Sequence, residues 1–405
     1  MNIRPLRLHR TVLVMAGTHF IVDGYGNILA PLLPILITRL GLTLAAAGTL
    51  QMCFQLANSV AQLGFGHIAD RWRPRLLLIA GPIVCVTMLP LIGLTSGFAV
   101  LAAVLIAGGL GGAAFHPPAA ALVHRYSGNQ RGLAMSFHIT SGTLGQALAP
   151  LVFAPFVQRF GLRATFVLTA PALVVLGVVL LRRMPVLERL QESDRAGGIA
   201  ALRPYARPLA LLYAIVVLRT LTAVSFSTFV PVMLTMRGQT LAQAGRATSV
   251  YLVAVGLGGF LGGPIADRFG ARRVIMASLV SAVPLLALAP QLSGWIFVAT
   301  VAAGGFLLQS TLPVNVTFAQ TIAPISAATV SSLMMGFAWG TGGLCVPFVG
   351  MLADHIGIAS TLTMMSALPL VAAALAWPLP AGKQLPQISG ARIVTPEAVR
   401  MDVAD

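Results

Sequence analysis

The feature that most constrains this chain is the recurrence of apolar runs of about 20 residues along its whole length, each long enough as a helix to cross roughly 30 Å of hydrocarbon. Short stretches holding Arg, Pro and Gly separate them. Backbone polar groups in lipid find no water, so each span has to be a helix. Only 9% of the 405 residues are charged and 57% are hydrophobic, with a mean hydropathy of +0.89, against about 25% charged residues in a soluble domain. The expectation is an all-α membrane protein. Twelve spans fit, at about 12–37, 45–68, 75–96, 98–124, 131–158, 162–182, 208–234, 242–266, 272–292, 295–319, 326–352 and 358–379.

The net charge of +16 has the sign of a nucleic-acid binder, but the arginines lie between apolar spans and form no basic patch on a soluble domain, so no nucleic-acid partner is expected. Threading the spans puts Arg4, Arg7, Arg10, Arg71, Arg73, Arg75, Arg125, Arg131, Arg268, Arg272 and Arg273 on one face, with the arginines of the central linker and the tail. Arg39, Arg159, Arg163, Arg237 and Arg246 fall on the other. Positive residues stay inside, so both termini are expected in the cytoplasm. The basic start followed by an apolar run resembles a secretory signal, but the run is too long and no Ala-x-Ala site ends it, which predicts a retained first helix. Cys53, Cys85 and Cys345 all fall inside spans without metal or disulfide spacing and read as packing residues.

The chain repeats itself. Gly66-His-Ile-Ala-Asp70-Arg71 returns as Gly263-Pro-Ile-Ala-Asp267-Arg268, an offset of 197 (263 − 66), and Pro34 with Pro231 and Pro150 with Pro347 keep that offset. The predicted organisation is two pseudo-symmetric six-helix halves, 1–182 and 208–380, joined by a cytoplasmic linker at 183–207 and followed by a disordered cytoplasmic tail at 381–405.

Gly-x-x-x-Asp-Arg-x-Gly-x-Arg-Arg runs unbroken from Gly263 through Asp267, Arg268 and Gly270 to Arg272 and Arg273. In this it resembles the major facilitator superfamily, whose members carry the motif after the second and eighth helices. The resemblance implies twelve helices and a cytoplasmic gate closed by charge pairs across a tight turn. Physically, a small residue at Gly263 permits close helix approach, and Asp267 can pair with basic groups at the start of the next helix. The first copy keeps Gly66, Asp70, Arg71 and Arg75 but has Arg73-Pro74 where the family has Gly-x. Simple topogenic charge is the alternative role for these residues. Gly108-Gly109-Leu-Gly111-Gly112-Ala-Ala-Phe115-His116-Pro117-Pro118, with His19-x-x-x-Asp23, resembles the fosmidomycin-resistance branch of the superfamily. Leu105 stands where multidrug members tend to have an arginine.

Ionisable groups at membrane depth mark function by default. His19 and Asp23, at i and i+4, share a helix face, and Asp23 lies roughly 16 Å in from the helix start. In the family fold the first, fourth, seventh and tenth helices line the central cavity. Here they carry His19, Asp23 and Asn27, then His116, then Arg219, then Gln309 and Asn315, while the third, sixth, ninth and twelfth have apolar cores without ionisable residues. Arg219 requires a carboxylate or an anionic ligand, and Asp23 is the candidate partner. A carboxylate that is neutral when unpaired and charged when paired suits proton coupling; a fixed salt bridge between the halves is the alternative. His116 precedes two prolines that should break or bend the helix, so it is either a proton relay or substrate contact, or satisfies the freed carbonyls. His138 reads as a packing or hydrogen-bonding residue. Tyr25, Phe115 and Trp339 are candidate aromatic lining.

The expectation is a secondary transporter working as a monomer in a bacterial inner membrane, and the resemblance implies a proton-coupled exporter of a small anionic, fosmidomycin-like compound. Asp23, His19 and His116 would handle protons, and Arg219, Asn27, Gln309 and Asn315 the substrate. A proton-coupled uptake symporter for an organic acid or sugar, or a passive facilitator, fits the same residues. A receptor would need a larger soluble domain. No nucleophile–base pair, metal cluster or phosphate-binding loop indicates an enzyme, and no cofactor is expected.

Overall fold

The computed structural model describes residues 8–71, 74–128, 131–181, 199–323, 330–331 and 333–380. Twelve helical segments follow one another: α1 (Arg10–Leu40), α2 (Leu44–Arg71), α3 (Pro74–Leu94), α4 (Phe98–Arg125), α5 (Arg131–Phe160), α6 (Leu162–Leu176), α7 (Ala206–Met236), α8 (Leu241–Phe269), α9 (Ala271–Gln291), α10 (Gly294–Ile322), α11 (Leu333–Ile356) and α12 (Ile358–Ala376). Among the described residues nine helices are long and apolar enough to cross a membrane. α2 and α5 fall outside that set although they run 28 and 30 residues, because glutamine, asparagine, serine, threonine and histidine interrupt their apolar sequence. α1 breaks at Asn27 and Ile28, between Arg10–Gly26 and Leu29–Leu40. Residues 183–198 of the expected linker and the tail at 381–405 lie outside the described residues; the linker's last residues form a 3-10 helix, Ile199–Tyr205, and α7 begins at Ala206.

Packing repeats with a shift of six helices. α2 lies against α4 as α8 lies against α10, α3 against α4 as α9 against α10, and α1 against α5 as α7 against α11. The two sets of six meet through α5 on α8, α2 on α11, and the Leu29–Leu40 segment of α1 on α7. At that seam the contacts come in pairs related by the offset of the sequence repeat. A methyl group on Gly48 would lie 2.6 Å from the Val346 carbonyl oxygen and 3.0 Å from Pro347 Cα; one on Gly245 would lie 2.7 Å from the Pro150 carbonyl oxygen. Glycine at both places lets backbones touch where α2 and α8 begin, the far end of the bundle from Arg10.

The same end holds two side-chain caps. Asp354, near the end of α11, accepts from the backbone amides of Leu44 (Oδ1, 2.9 Å) and Ala45 (Oδ2, 2.9 Å) at the start of α2. Gln158, near the end of α5, accepts from the Ala242 amide (Oε1, 2.8 Å) at the start of α8. Each half thus satisfies otherwise orphaned amides of the other's helix, and the carboxylate also meets the positive end of the helix dipole.

The other end differs from expectation. The side chains of Asp70 and Arg71, and Arg73, lie outside the described residues, and Arg75 is exposed. A methyl at Gly66 would make ordinary contact with Pro117 Cβ at 3.7 Å, and one at Gly263 would meet nothing within 4 Å. The expected close approach at Gly263 is instead made one residue earlier, where a methyl on Gly262 would overlap the Ser310 backbone. Neighbouring helix positions point about 100° apart, so a one-residue difference moves the contact to another face. Gly270, at φ +89°, makes the tight turn between α8 and α9. The expected charge pair across that turn is absent: Asp267 has no ion-pair partner among the described residues, while Arg268 packs on Phe269 and Arg272 on Trp377, each with Cζ 5.3 Å from the ring centre. Arg273 forms no ion pair there either.

Asp354→Ala should therefore uncap α2 and loosen the far end. Loss of a helix cap is worth roughly 1 kcal/mol, so amide exchange at Leu44 and Ala45 should rise about fivefold, with no comparable change at the α8–α9 turn. Unchanged exchange at those two amides would show that the cap does not hold the seam.

Candidate functional site

In the first six helices the polar groups converge on Asp23. The helical spacing sets His19 Nε2 3.3 Å from Asp23 Oδ2. From α4, His116 Nε2 comes to 3.5 Å from Asp23 Oδ1. From α5, Gln146 Nε2 donates to Oδ2 at 2.8 Å. The side chains keep 11%, 12% and 17% exposure for His19, Asp23 and His116, so the cluster is nearly but not wholly closed off. A methyl on Gly142 of α5 would fall 2.5 Å from His19 Nε2 and 2.7 Å from Asp23 Oδ2, so only glycine lets α5 pass this close to the pair.

The hydrogen bonding fixes what the cluster can hold. His19 Nδ1 lies 2.8 Å from the His138 carbonyl oxygen and must donate to it. In neutral His19 that leaves Nε2 as an acceptor, facing the oxygen of a carboxylate. Two acceptors 3.3 Å apart repel unless a cation lies between them, so the pair needs a proton, on the imidazole or on the carboxyl. His116 and His138 crowd the same ring, with centroids 5.1 and 4.3 Å from that of His19. His138 is buried, its Nδ1 without a partner, and it contributes its backbone carbonyl to the cluster. α4 runs unbroken through Pro117 and Pro118, so of the expected break or bend the prolines do not make the break. Neighbouring helices α1, α2 and α3 hold it in register. His116 therefore reaches Asp23 from an intact helix.

The other candidates sort by place. Asn27, at the break in α1, donates through Nδ2 to the Gln146 carbonyl oxygen at 2.8 Å, tying the break to α5. Phe115 is fully buried and packs on the cluster, its ring centre 6.1 Å from that of His19 and 5.7 Å from that of His116, whereas Tyr25 donates to the Leu168 carbonyl and stacks edge-on against Phe153. Gln146 is the residue that sequence reasoning missed: a glutamine 123 positions from Asp23 carries no local signal of the contact.

Arg219 belongs to a different neighbourhood. It is 0% exposed on α7. Its guanidinium donates to Gln309 Oε1 of α10 and, from Nη2, to Thr220 Oγ1 at 3.0 Å, and its Cζ lies 5.6 Å from the centre of the Trp339 ring of α11. Nε has no hydrogen-bond partner, and no carboxylate pairs with the group among the described residues. The expected Asp23–Arg219 partnership is therefore not formed. α1 packs on α7 through Leu29–Leu40, beyond the break, whereas Asp23 lies before it. Asn315 of α10 is buried with both side-chain polar atoms unpartnered. The first half thus presents an acid–imidazole cluster, and the second a buried cation with open hydrogen-bonding capacity.

Comparison with known proteins agrees with this architecture. A family model described as Major Facilitator Superfamily matches residues 15–245 and 212–396. The fosmidomycin resistance protein of Escherichia coli (strain K12) is 28% identical over 363 residues, covering 87% of this chain and 89% of its own. An MFS-type transporter of Bacillus subtilis (strain 168), YfnC, is 29% identical over 400 residues, covering 92% and 94%. Among solved structures, a bacterial homologue of the human lysosomal transporter Spinster, in an inward-facing and occupied conformation, superposes with a TM-score of 0.74 at 17% identity, over 90% of this chain and 95% of that one. With all-helical architecture, membrane-length apolar helices and matches to transporters over nearly the whole chain, this protein belongs to the Major Facilitator Superfamily of multi-pass membrane transporters and is not an enzyme.

Proposed function

We propose that the chain is a proton-coupled exporter of a small anionic compound of the fosmidomycin type, working as a monomer in a bacterial inner membrane with both termini in the cytoplasm. The observation that carries this reading is the fully buried Arg219, which has no carboxylate partner among the described residues and an unpartnered Nε. An uncompensated guanidinium in a membrane bundle is costly, and an anionic ligand is the partner that removes the cost. Gln309 orients the group, and Asn315 offers buried donors and an acceptor for the rest of the ligand. The relative named for fosmidomycin resistance supports export of such an anion.

The proton resides in the Asp23 cluster, whose hydrogen bonding requires one. Asp23 and Arg219 do not pair, so exchange of substrate for proton works through the substrate: its anionic group docks at Arg219 while a polar second group reaches the Asp23 cluster and displaces the proton. The seam supports alternating access as the mode of transport: Gly48 and Gly245 allow close contact at the far end, and the caps of Asp354 and Gln158 are hydrogen-bonded contacts between the halves that rocking would part.

Cells expressing the wild type should tolerate more fosmidomycin than vector controls, and an uncoupler should remove the difference. Asp23→Asn and Arg219→Gln, at matched membrane levels, should return tolerance to the vector level. Wild-type cells no more tolerant than controls would end the fosmidomycin reading, and tolerance that ignores the uncoupler would end the proton coupling.

The unpaired cation also makes a stability prediction. Replacing Arg219 and Gln309 together by Met and Leu removes a buried cation with its amide partner, a change worth about 1–4 kcal/mol of stabilisation. The ligand-free thermal midpoint in detergent should rise while transport is lost. A fall in the midpoint would mark Arg219 as a structural group.

A further inference from the structure

The two acceptors that face each other across the Asp23 cluster are filled by a proton on the reading above, but their geometry also meets the requirements of a metal ion. We propose that His19 Nε2, the Asp23 carboxylate and His116 Nε2 form a binding site for a divalent cation of the zinc class, which competes with the proton for the cluster. The competition rests on the proton reading; the binding itself does not.

The three ligand atoms lie within 4.8 Å of one another. The two nitrogen–oxygen separations are 3.3 and 3.5 Å. Two ligands of a tetrahedral ion bonded at about 2.1 Å stand about 3.4 Å apart, so these edges already have the spacing of a bound ion. His116 closes on the other carboxylate oxygen, and a small side-chain rotation brings all three donors onto one centre. Two imidazoles and one carboxylate favour zinc, cobalt or nickel over magnesium or calcium, which prefer oxygen ligands. Three protein ligands leave a coordination position for water or substrate.

The surroundings supply the outer contacts that such sites use. The His19 Nδ1 bond to the His138 carbonyl fixes the tautomer that presents Nε2, and Gln146 Nε2 holds Asp23 Oδ2 in place. α1, α4 and α5 each contribute, so the donors are oriented by helix packing and not by a loop. The charge is favourable as well. A divalent ion on one carboxylate leaves a single net positive charge at the cluster, where an isolated carboxylate would otherwise be uncompensated whenever the proton leaves. The side chains keep 11% to 17% exposure, so the cluster is not wholly sealed from solvent.

The test is isothermal titration of zinc chloride into the purified full chain in detergent, with any histidine tag removed because His9, His67, His124 and His355 also offer imidazoles. The wild type should bind one ion per chain. His116→Gln and Asp23→Asn should each weaken binding more than about tenfold, Gln146→Leu about tenfold through orientation alone, and His124→Ala should change nothing. Thermal unfolding of each variant without metal checks that it is folded; if Asp23→Asn is not, His116→Gln and Gln146→Leu decide. Substoichiometric binding, or binding that every cluster variant leaves intact, overturns the site. Because the heat of binding needs no transport, a failure of fosmidomycin export leaves this result standing, and a failure to bind zinc leaves the export reading standing.

Discussion

The Asp23 carboxylate, pinned by His19 and His116 and by the amide of Gln146, is the one acidic side chain at mid-span among the described residues, and much of the first half is arranged around it. A carboxylate at that depth needs compensation from each direction. α1 supplies an imidazole one turn away, α4 another, and α5 an amide donor, with Gly142 keeping the α5 backbone close. Those demands tie three helices to one another, so the half is held together by a polar centre as well as by its apolar packing. The break in α1 just beyond, at Asn27, is tied to α5 by a side-chain bond to the Gln146 carbonyl. The residue that steadies Asp23 is thus anchored through its own backbone to the α1 break.

The second half answers the same physical demand differently. Arg219 receives neutral partners, a glutamine, a threonine and the face of a tryptophan, and no carboxylate. Repeat-related helices with the same packing therefore carry opposite charges and different solutions. The first half compensates its buried charge internally, whereas the second leaves a guanidinium nitrogen without a hydrogen-bond partner. That asymmetry is superimposed on a seam that stays symmetric: Gly48 with Pro347 and Gly245 with Pro150, Asp354 capping α2 and Gln158 capping α8. The contacts of the seam keep the repeat while the polar groups within the halves have diverged from it.

Much of this was legible in the sequence, and the limits have physical causes. Span number and order follow from runs of apolar residues, because length and hydropathy are local properties. The His19–Asp23 pair follows from i, i+4 spacing. What spacing cannot supply is azimuth between helices. Arg219 and Asp23 fall at similar depths in repeat-related helices, which predicts a pair, yet α1 packs on α7 through Leu29–Leu40, beyond its break. Gly263 carries the motif but Gly262 makes the contact, one position and about 100° away. Pro117 and Pro118 read as a break or a bend because local hydrogen bonding is lost; packing on three sides keeps α4 continuous. Gln146 was overlooked because a polar residue in an apolar helix announces that it has a partner without saying which.

Among the described residues the two ends of the bundle are held by different contacts. If the motif's charges were locking the near end, Asp267 would be expected to hold a basic partner across the α8–α9 turn; it has none among the described residues, and Arg268 and Arg272 rest on aromatic rings. The far end, by contrast, has glycine-permitted backbone contacts and two helix caps that cross between halves. A rocking motion that opened the far end would break both caps and leave the amides of Leu44, Ala45 and Ala242 to water. Exposed amides find water readily, so the cost is modest on either side, of the order of one hydrogen bond each. A small free-energy difference between the two arrangements is what alternating access needs, since a ligand can shift an equilibrium only by its differential affinity for the two states. On the proposed reading, the unpaired Arg219 provides that difference: whichever arrangement gives its guanidinium the better anion contact is the one the bound substrate favours.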